Sequence, residues 1–525
     1  MAERSSIWSE IASVAGRVKL AVRSDAPLGI GRAPEQAGAN GNGSVRAALP
    51  ARGIAVNRRN EAQISAALDT LLAGLGLPPA GDRAVIDGED PVIASPHRLG
   101  SASATALAAQ GLAAAQLWRL RGGESQTVSL RLADAVAALD TNLFMRLNGH
   151  SVRRSDVLVR EPLNRAYRCA DGRHVVFQAT YAHHRNGLLE LLGAANAATA
   201  IEVVAARWRA GELEEACAAR NLPAAVARTR AEWLEHPQGR MLAAQPVAVI
   251  DKIAGGDPLP LGPAKRPAAG IRVIDATHVI AGPGLSRTLA EHGADVLHVL
   301  APRLMDPWSI SLDTGIGKRS AFIDLDLPAD VARLRALAGE ADVFVQSYSP
   351  GSFDRRGLSA SDLAELRPSG IVYVSISCYG DDGPWSMRGG FDPQAQAVAG
   401  IMATEGGQGQ PRPVPTLLLN DYLTAYLGAA AVLAALARRS VEGGSYHVRL
   451  ALARTAMWVQ EFGLLPAESV AGSPAALRIE DFATSEMETP FGRLRYLPPV
   501  TRLSRTPAFW ERPPCPPGAS PPEWE

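Results

Sequence analysis

Asp421 carries a carboxylate that could act as a nucleophile. It stands at the expected start of a long Ala/Leu helix, after Pro415 and the run Leu417-Leu418-Leu419-Asn420. A helix N-terminus favours the ionised carboxylate, the attacking form. A carboxylate nucleophile exchanges acyl groups by way of a mixed anhydride, with no metal or NTP. From its residues alone, the same aspartate reads as a helix cap worth about 1 kcal/mol. Tandem His183-His184 read as surface residues at a helix start rather than as ligands. Two glycine-rich stretches resemble nucleotide fingerprints and fail them. Gly282-Pro283-Gly284 lacks the third glycine of G-x-G-x-x-G, and in GIGKRS at 315–320 the first P-loop glycine falls on Leu312. Both read as turn glycines.

The elements around these residues alternate. From 271 onward, IRVIDATHVI, ADVLHVL, AFIDLD, ADVFVQSY and IVYVSIS read as strands. LSRTLAEHG, PADVARLRALAGE and SASDLAELRPSG read as the intervening helices, the last with a Ser cap. Such βαβ alternation predicts a doubly wound parallel sheet, which binds ligands at the carboxyl ends of its strands. Upstream, residues 101–120 read as a helix, VSLRLADAV from Val128 as a strand leading into a helix, and 173–179 as a strand. Residues 185–245 read as mostly helical, 24–60 as a loop, and 251–270 as a Pro/Gly-rich domain boundary. The stretch 498–525 is proline-rich and reads as an extended surface tail.

An internal repeat runs through both halves. At an offset of 320, Leu107, Arg119, Gly123, Ser125 and Val128 match Leu427, Arg439, Gly443, Ser445 and Val448. The repeat sets Ser101 against Asp421.

Composition narrows the function. With 53 basic and 53 acidic residues the chain lacks the positive field of a general nucleic-acid binder. The apolar run 423–437 is too short to span a bilayer, and MAERSSIWSEIASV at the N-terminus lacks the apolar core of a secretory signal. Four cysteines without a C-x-x-C pair read as free thiols in a reducing cytoplasm.

Five ordered motifs from Val273 to Arg439 resemble family III (CaiB/BaiF) CoA-transferases. VIDATHVIAGPGLSRTLAEHGADVLHVLAP is similar to the family's opening motif and GKRSAFIDL to its Asn-Lys-Arg-Ser strand. DVFVQSYSPGSFDRRGL resembles its Glu-Asn-Phe-x-Pro-Gly segment. VSISCYGDDGPW resembles its glycine turn, and PTLLLNDYLTAYLGAAAVLAALARR the segment holding its catalytic Asp.

The resemblance implies that Asp421 is the covalent nucleophile. His278, Val279 and Ala281 then line the turn beside coenzyme A, with Ser347 and Tyr348 near the pantetheine arm. Arg355 then matches the family's phosphate-side arginine, with Arg303 and Lys318 as candidate phosphate contacts; as charges alone, Arg355 and Lys318 read equally as solvated surface. The chain departs from the family at Gln346-Ser347-Tyr348, Ser377 and Leu300. Related racemases pair the Asp with a His in a Gly-His-Asp turn. Here the turn is Gly390-Phe391-Asp392, and phenylalanine accepts no proton, so transfer is favoured over racemisation.

The expected architecture is an α/β fold with a doubly wound parallel large domain, a smaller α/β domain and a partial duplicated large-domain segment. Its boundaries fall at 1–150 (degenerate large-domain copy), 151–255 (small domain), 256–485 (large domain) and 486–525 (tail). The expected activity moves coenzyme A from an acyl-CoA to a carboxylic acid. An acyl-CoA racemase and a catalytically inactive CoA-binding member are the alternatives. Acyl-CoA is then a substrate, with no permanent cofactor or metal. The expected partners exclude nucleic acid and membrane, and the assembly is a homodimer or an intramolecular pseudo-dimer in the cytoplasm.

Overall fold

The computed structural model describes residues 58–152 and 161–525. The loop reading of 24–60 lies outside the described residues as far as 57, and its last three positions instead open a helix, Arg58–Gly74; the N-terminal reading of 1–14 lies outside them as well. The first half supplies β1 (Ala84–Asp87), α1 (Leu99–Leu120) and β2 (Val128–Arg131), with β1 and β2 parallel. A small antiparallel sheet of Ala166–Arg168, His174–Phe177 and Ala224–Val226 follows, surrounded by helices. Ala224–Val226 interrupts the stretch read as helical, because its alternate residues fill the small domain's own core.

The large domain is built on β3 (Ala248–Ala254), β4 (Arg272–Ala276), β5 (Asp295–Leu300), β6 (Arg319–Phe322), β7 (Val343–Gln346), β8 (Val372–Ser377) and β9 (Ser445–Ala451). The sheet order is β6-β5-β4-β7-β8-β9-β3, all parallel except β3 on β9. The chain moves outward from β4 to β6, then returns to β7 and moves the other way. The topological switch point therefore lies between β4 and β7, and the partial duplication expected from the repeat is also present. The inner strands are apolar on both faces because helices cover both.

Three helices concern the site: α2 (Ala281–Ala290), α3 (Asp392–Ala399) and α4 (Asn420–Glu442). The Gly282-Pro283-Gly284 group lies inside the first turns of α2 rather than in the turn before it. Helix α4 packs against α1, α2 and β9 at once. That explains its alanines, because a helix buried on all sides needs small side chains for close approach. At Gly428 even a Cβ would lie 2.4 Å from Leu285 Cδ1.

The tail does more than cover the surface. Its strand β10 (Arg502–Leu503) pairs antiparallel with β2, so β1-β2-β10 repeats the arrangement β8-β9-β3. The segment after the small domain completes the second sheet, and the segment after the large domain completes the first. The two copies thus exchange strands within one chain.

An ion pair fastens the centre of the large domain. Asp275 on β4 is fully buried and accepts from Lys318 Nζ at 2.8 Å and Ser286 Oγ at 2.5 Å. Burial pushes this carboxyl up, but Lys318 and His298 bring it down to about 2. Removing one partner leaves an uncompensated buried charge. Lys318→Met is expected to cost about 3–5 kcal/mol, read as a lower urea midpoint, and Asp275→Asn in the same chain is expected to recover part of the loss.

Candidate functional site

Two clusters stand near each other at the carboxyl side of the sheet. The first is at the switch point. Ala276 and Gln346 are register partners at the ends of β4 and β7. Beyond them, the His278 N–H donates to Ser347 Oγ at 3.3 Å, and His278 Nε2 lies 2.7 Å from Tyr348 Oη. Val279 has φ +64, unusual for a β-branched residue and costly by roughly 1–3 kcal/mol. Asp306 holds it there. One carboxylate oxygen accepts the Val279 N–H at 3.0 Å, and the other lies 3.3 Å from His278 Nδ1. Tyr181 of the small domain donates to Asp306 at 2.5 Å. Burial pushes Asp306 up, yet its bonds to His278 and Tyr181 leave it below the ordinary carboxylate range. Burial and Asp306 push Tyr181 up.

The other expected coenzyme A contacts divide. Ala281 opens α2 beside this cluster and is buried. Arg303 is exposed and paired with Asp324 at 3.0 Å and with Asp326. Arg355 is exposed in a short turn, Asp354–Arg356. Lys318 is a correction: its ammonium is sealed in the core against Asp275 and the Pro283 carbonyl, so it does not face a phosphate.

The second cluster is at the start of α4. Asp421 is buried, but it is not the cap of its helix: the cap position is Leu419, which has no side-chain cap bond. Asp392, at the start of α3, does that work. Its Oδ2 accepts the N–H groups of Leu419 at 3.0 Å and Asp421 at 2.9 Å. The Asp421 carboxyl is thus relieved of the structural role that its position alone suggested. Burial pushes Asp392 up to about 6, while bonds from Gln396 and the α4 backbone oppose the shift. Burial, then the charge on Asp392, push Asp421 well above the usual range. Beside it, both polar atoms of the buried Asn420 amide lack a partner among the described residues.

The first half carries a replica. Asp90 accepts the N–H groups of Gly100 at 2.8 Å and Ser101 at 2.9 Å, and the Ser101 hydroxyl at 2.6 Å. Gly88-Glu89-Asp90-Pro91 repeats Gly390-Phe391-Asp392-Pro393. The spacing to the helix start is 11 residues in one copy and 29 in the other, so a gapless comparison aligns Ser101 with Asp421 but misses the capping pair.

Aromatic rings link the clusters. Tyr181 lies 6.5 Å from the His278 ring and 6.3 Å from Phe391, and His184 lies 5.7 Å from Phe391. His184 is therefore half-buried between domains, against the expectation of a surface residue, while His183 is exposed. Burial, then His183, lower His184 to about 4. A cavity of about 440 Å³ opens alongside, lined by Ile280, by Leu418 and Tyr422 on either side of Asp421, and by the small domain's Arg165 and Phe177. Asp421 itself is not among the lining residues. Neither Tyr181 nor Asp306 carries a local sequence signal, since they meet only through folding across 125 positions.

A model of CoA-transferase family III matches residues 82–258 and 269–485. The chain is 40% identical over 200 residues to the acetyl-coenzyme A transferase nodX of Hypoxylon pulicicidum, covering 37% of this chain and 34% of that one. It is 34% identical over 261 residues to an acyl-CoA transferase of Gibberella moniliformis, covering 46% and 45%. It is 32% identical over 190 residues to the human succinyl-CoA:glutarate CoA-transferase, covering 34% and 43%. The chain spans less than half the length of these curated relatives. With both halves of the duplicated α/β fold matched, well over half of its residues, the chain belongs to CoA-transferase family III.

Proposed function

We propose that the chain transfers coenzyme A from an acyl-CoA to a carboxylic acid through Asp421. The observation that carries this reading is a buried carboxyl at a helix N-terminus, uncommitted as a cap and adjacent to a second carboxyl. The transferase names of the relatives support it.

The steps follow from carboxylate chemistry. An Asp421 oxygen attacks the thioester carbonyl, the C–S bond breaks and the thiolate leaves, giving a mixed anhydride. The thiolate then attacks the aspartyl carbonyl and releases the first acid, leaving an aspartyl thioester. The second acid's carboxylate displaces the thiolate to form a new anhydride. Thiolate attack on the new acyl carbonyl yields the product and restores Asp421. No proton is gained or lost overall. The switch-point cluster of His278, Val279, Ser347 and Tyr348 receives the pantetheine side, and exposed Arg303 and Arg355 are the cations left for phosphates. Tyr181 braces Asp306 from the small domain of the same chain, so the intramolecular pseudo-dimer is the assembly this reading favours. Among the described residues, no helix is long and apolar enough to cross a membrane.

Burial makes Asp421 basic, so once ionised it attacks strongly; Asp392 sets how readily it ionises. Asp421→Asn is expected to lower kcat by at least about a thousandfold. It should also remove an acyl or CoA adduct that mass spectrometry finds on the wild-type Asp421 peptide. Ser101→Ala is expected to keep turnover, and the reverse pattern overturns the assignment.

The pH dependence has a definite sign. Attack needs the ionised form, so the rate rises with pH through the titration of the pair. Asp392→Asn removes a neighbouring negative charge, lowers the Asp421 value and moves the acid limb of kcat/KM to lower pH. Stability runs the other way. A carboxyl held above its ordinary value of about 3.9 binds more protons folded than unfolded, so stability falls as pH rises above that value. Asp421→Asn is therefore expected to raise Tm relative to wild type, by an amount that grows from pH 4 to pH 8.

A further inference from the structure

Val279 is a β-branched residue at φ +64, a conformation such residues rarely take. It lies in the short turn between β4 and α2, at the switch point of the sheet. In that conformation the His278 N–H reaches Ser347 Oγ, and the His278 ring meets Tyr348 edge-on with centroids 4.9 Å apart. A valine with nothing to hold it here relaxes to negative φ, and the wall these residues form is lost.

A buried carboxylate with three partners does the holding. The Asp306 side chain is 5% exposed. Its Oδ2 accepts the Val279 N–H, while Oδ1 accepts the Tyr181 hydroxyl and faces His278 Nδ1. Val279 and His278 belong to the turn itself; Tyr181 comes from the small domain. A buried carboxylate that loses a donor turns away or takes up a proton, and either change weakens its grip on the Val279 N–H. The small domain has other fastenings. Gln394 Nε2 on α3 donates to the Val176 carbonyl at 3.3 Å, and the Arg228 N–H donates to the Ala397 carbonyl at 3.0 Å. Gln238 Nε2 donates to the carbonyls of Tyr379 at 2.7 Å and Asp382 at 2.8 Å. Deleting the one hydroxyl therefore leaves the domain docked and isolates the effect on the turn.

We infer that Tyr181 and Asp306 are positioning residues for coenzyme A: the small-domain hydroxyl fixes the carboxylate that keeps Val279 left-handed. Affinity then depends on small-domain docking as well as on the groups that touch the ligand, because the share of chains with the turn formed scales the intrinsic affinity. The inference rests on the reading of this turn as a coenzyme A wall and adds what controls it.

Calorimetry of the full chain with coenzyme A, on Tyr181→Phe with and without Val279→Gly, tests it. Glycine adopts positive φ freely and needs no carboxylate to hold it. Tyr181→Phe is expected to weaken binding roughly tenfold when position 279 is valine, and less than about twofold when it is glycine. Asp306→Asn, which keeps an oxygen for the Val279 N–H, is expected to lose less affinity than Asp306→Ala. An equal loss from Tyr181→Phe in both backgrounds overturns the inference, because the hydroxyl then touches the ligand or serves docking alone. So does unchanged affinity in Tyr181→Phe. His278→Ala checks the reading beneath. Affinity lost there but kept in Tyr181→Phe sinks the inference alone; affinity kept in His278→Ala takes coenzyme A away from the turn and sinks both.

Discussion

One carboxyl group, Asp392, holds the start of α4 in place by accepting two of its N–H groups. A helix start has unpaired donors, and an aspartate from another element satisfies them as well as the helix's own cap does. This arrangement puts a second carboxyl, Asp421, within the field of the first. The capping bonds oppose the rise that burial gives Asp392, and burial, then the Asp392 charge, raises Asp421. The group that caps α4 is therefore also the charged neighbour of Asp421. The same device at Asp90 and Ser101 shows what remains when the second carboxyl is replaced: a capped helix start, with a hydroxyl hydrogen-bonded to the capping carboxylate.

The duplicated copies depend on each other. Helices α1 and α4 bury their alanine faces together, and each sheet takes an antiparallel edge strand from the other copy's following segment. The small domain, which follows the first copy, reaches the second copy's strand ends through Tyr181 and His184. The first copy keeps only β1, β2 and β10 of the seven-strand plan. It lacks counterparts of β4 to β7 among the described residues, and with them the switch point. Among the described residues, one crevice at a switch point is therefore built.

The site carries its own costs. Two buried carboxyls repel, Val279 is held at positive φ, and the Asn420 amide has no partner among the described residues. Buried unsatisfied groups cost roughly 1–3 kcal/mol each. The surrounding structure bears these costs through well-packed helices. Such concentration of strain and shifted titration at one place is common where groups are arranged for chemistry rather than for stability.

Periodicity and turn residues in the chain determined the α/β class, the parallel alternation after 271 and the duplication around Ser101 and Asp421. These are local signals: apolar runs, glycine stops and a fixed offset. Motif order carried the family resemblance, and with it the choice of Asp421. Charge type alone misled at Lys318, because a lysine destined for a buried ion pair looks the same in sequence as one facing a phosphate. His184 misled for a similar reason, since only the docking of the small domain buries it. Tertiary structure alone decided that Asp392 caps α4 and that Asp306 joins Tyr181 to His278 and Val279. Each of these joins side chains far apart along the chain, and the distances close only when the sheet order and the strand exchange are set.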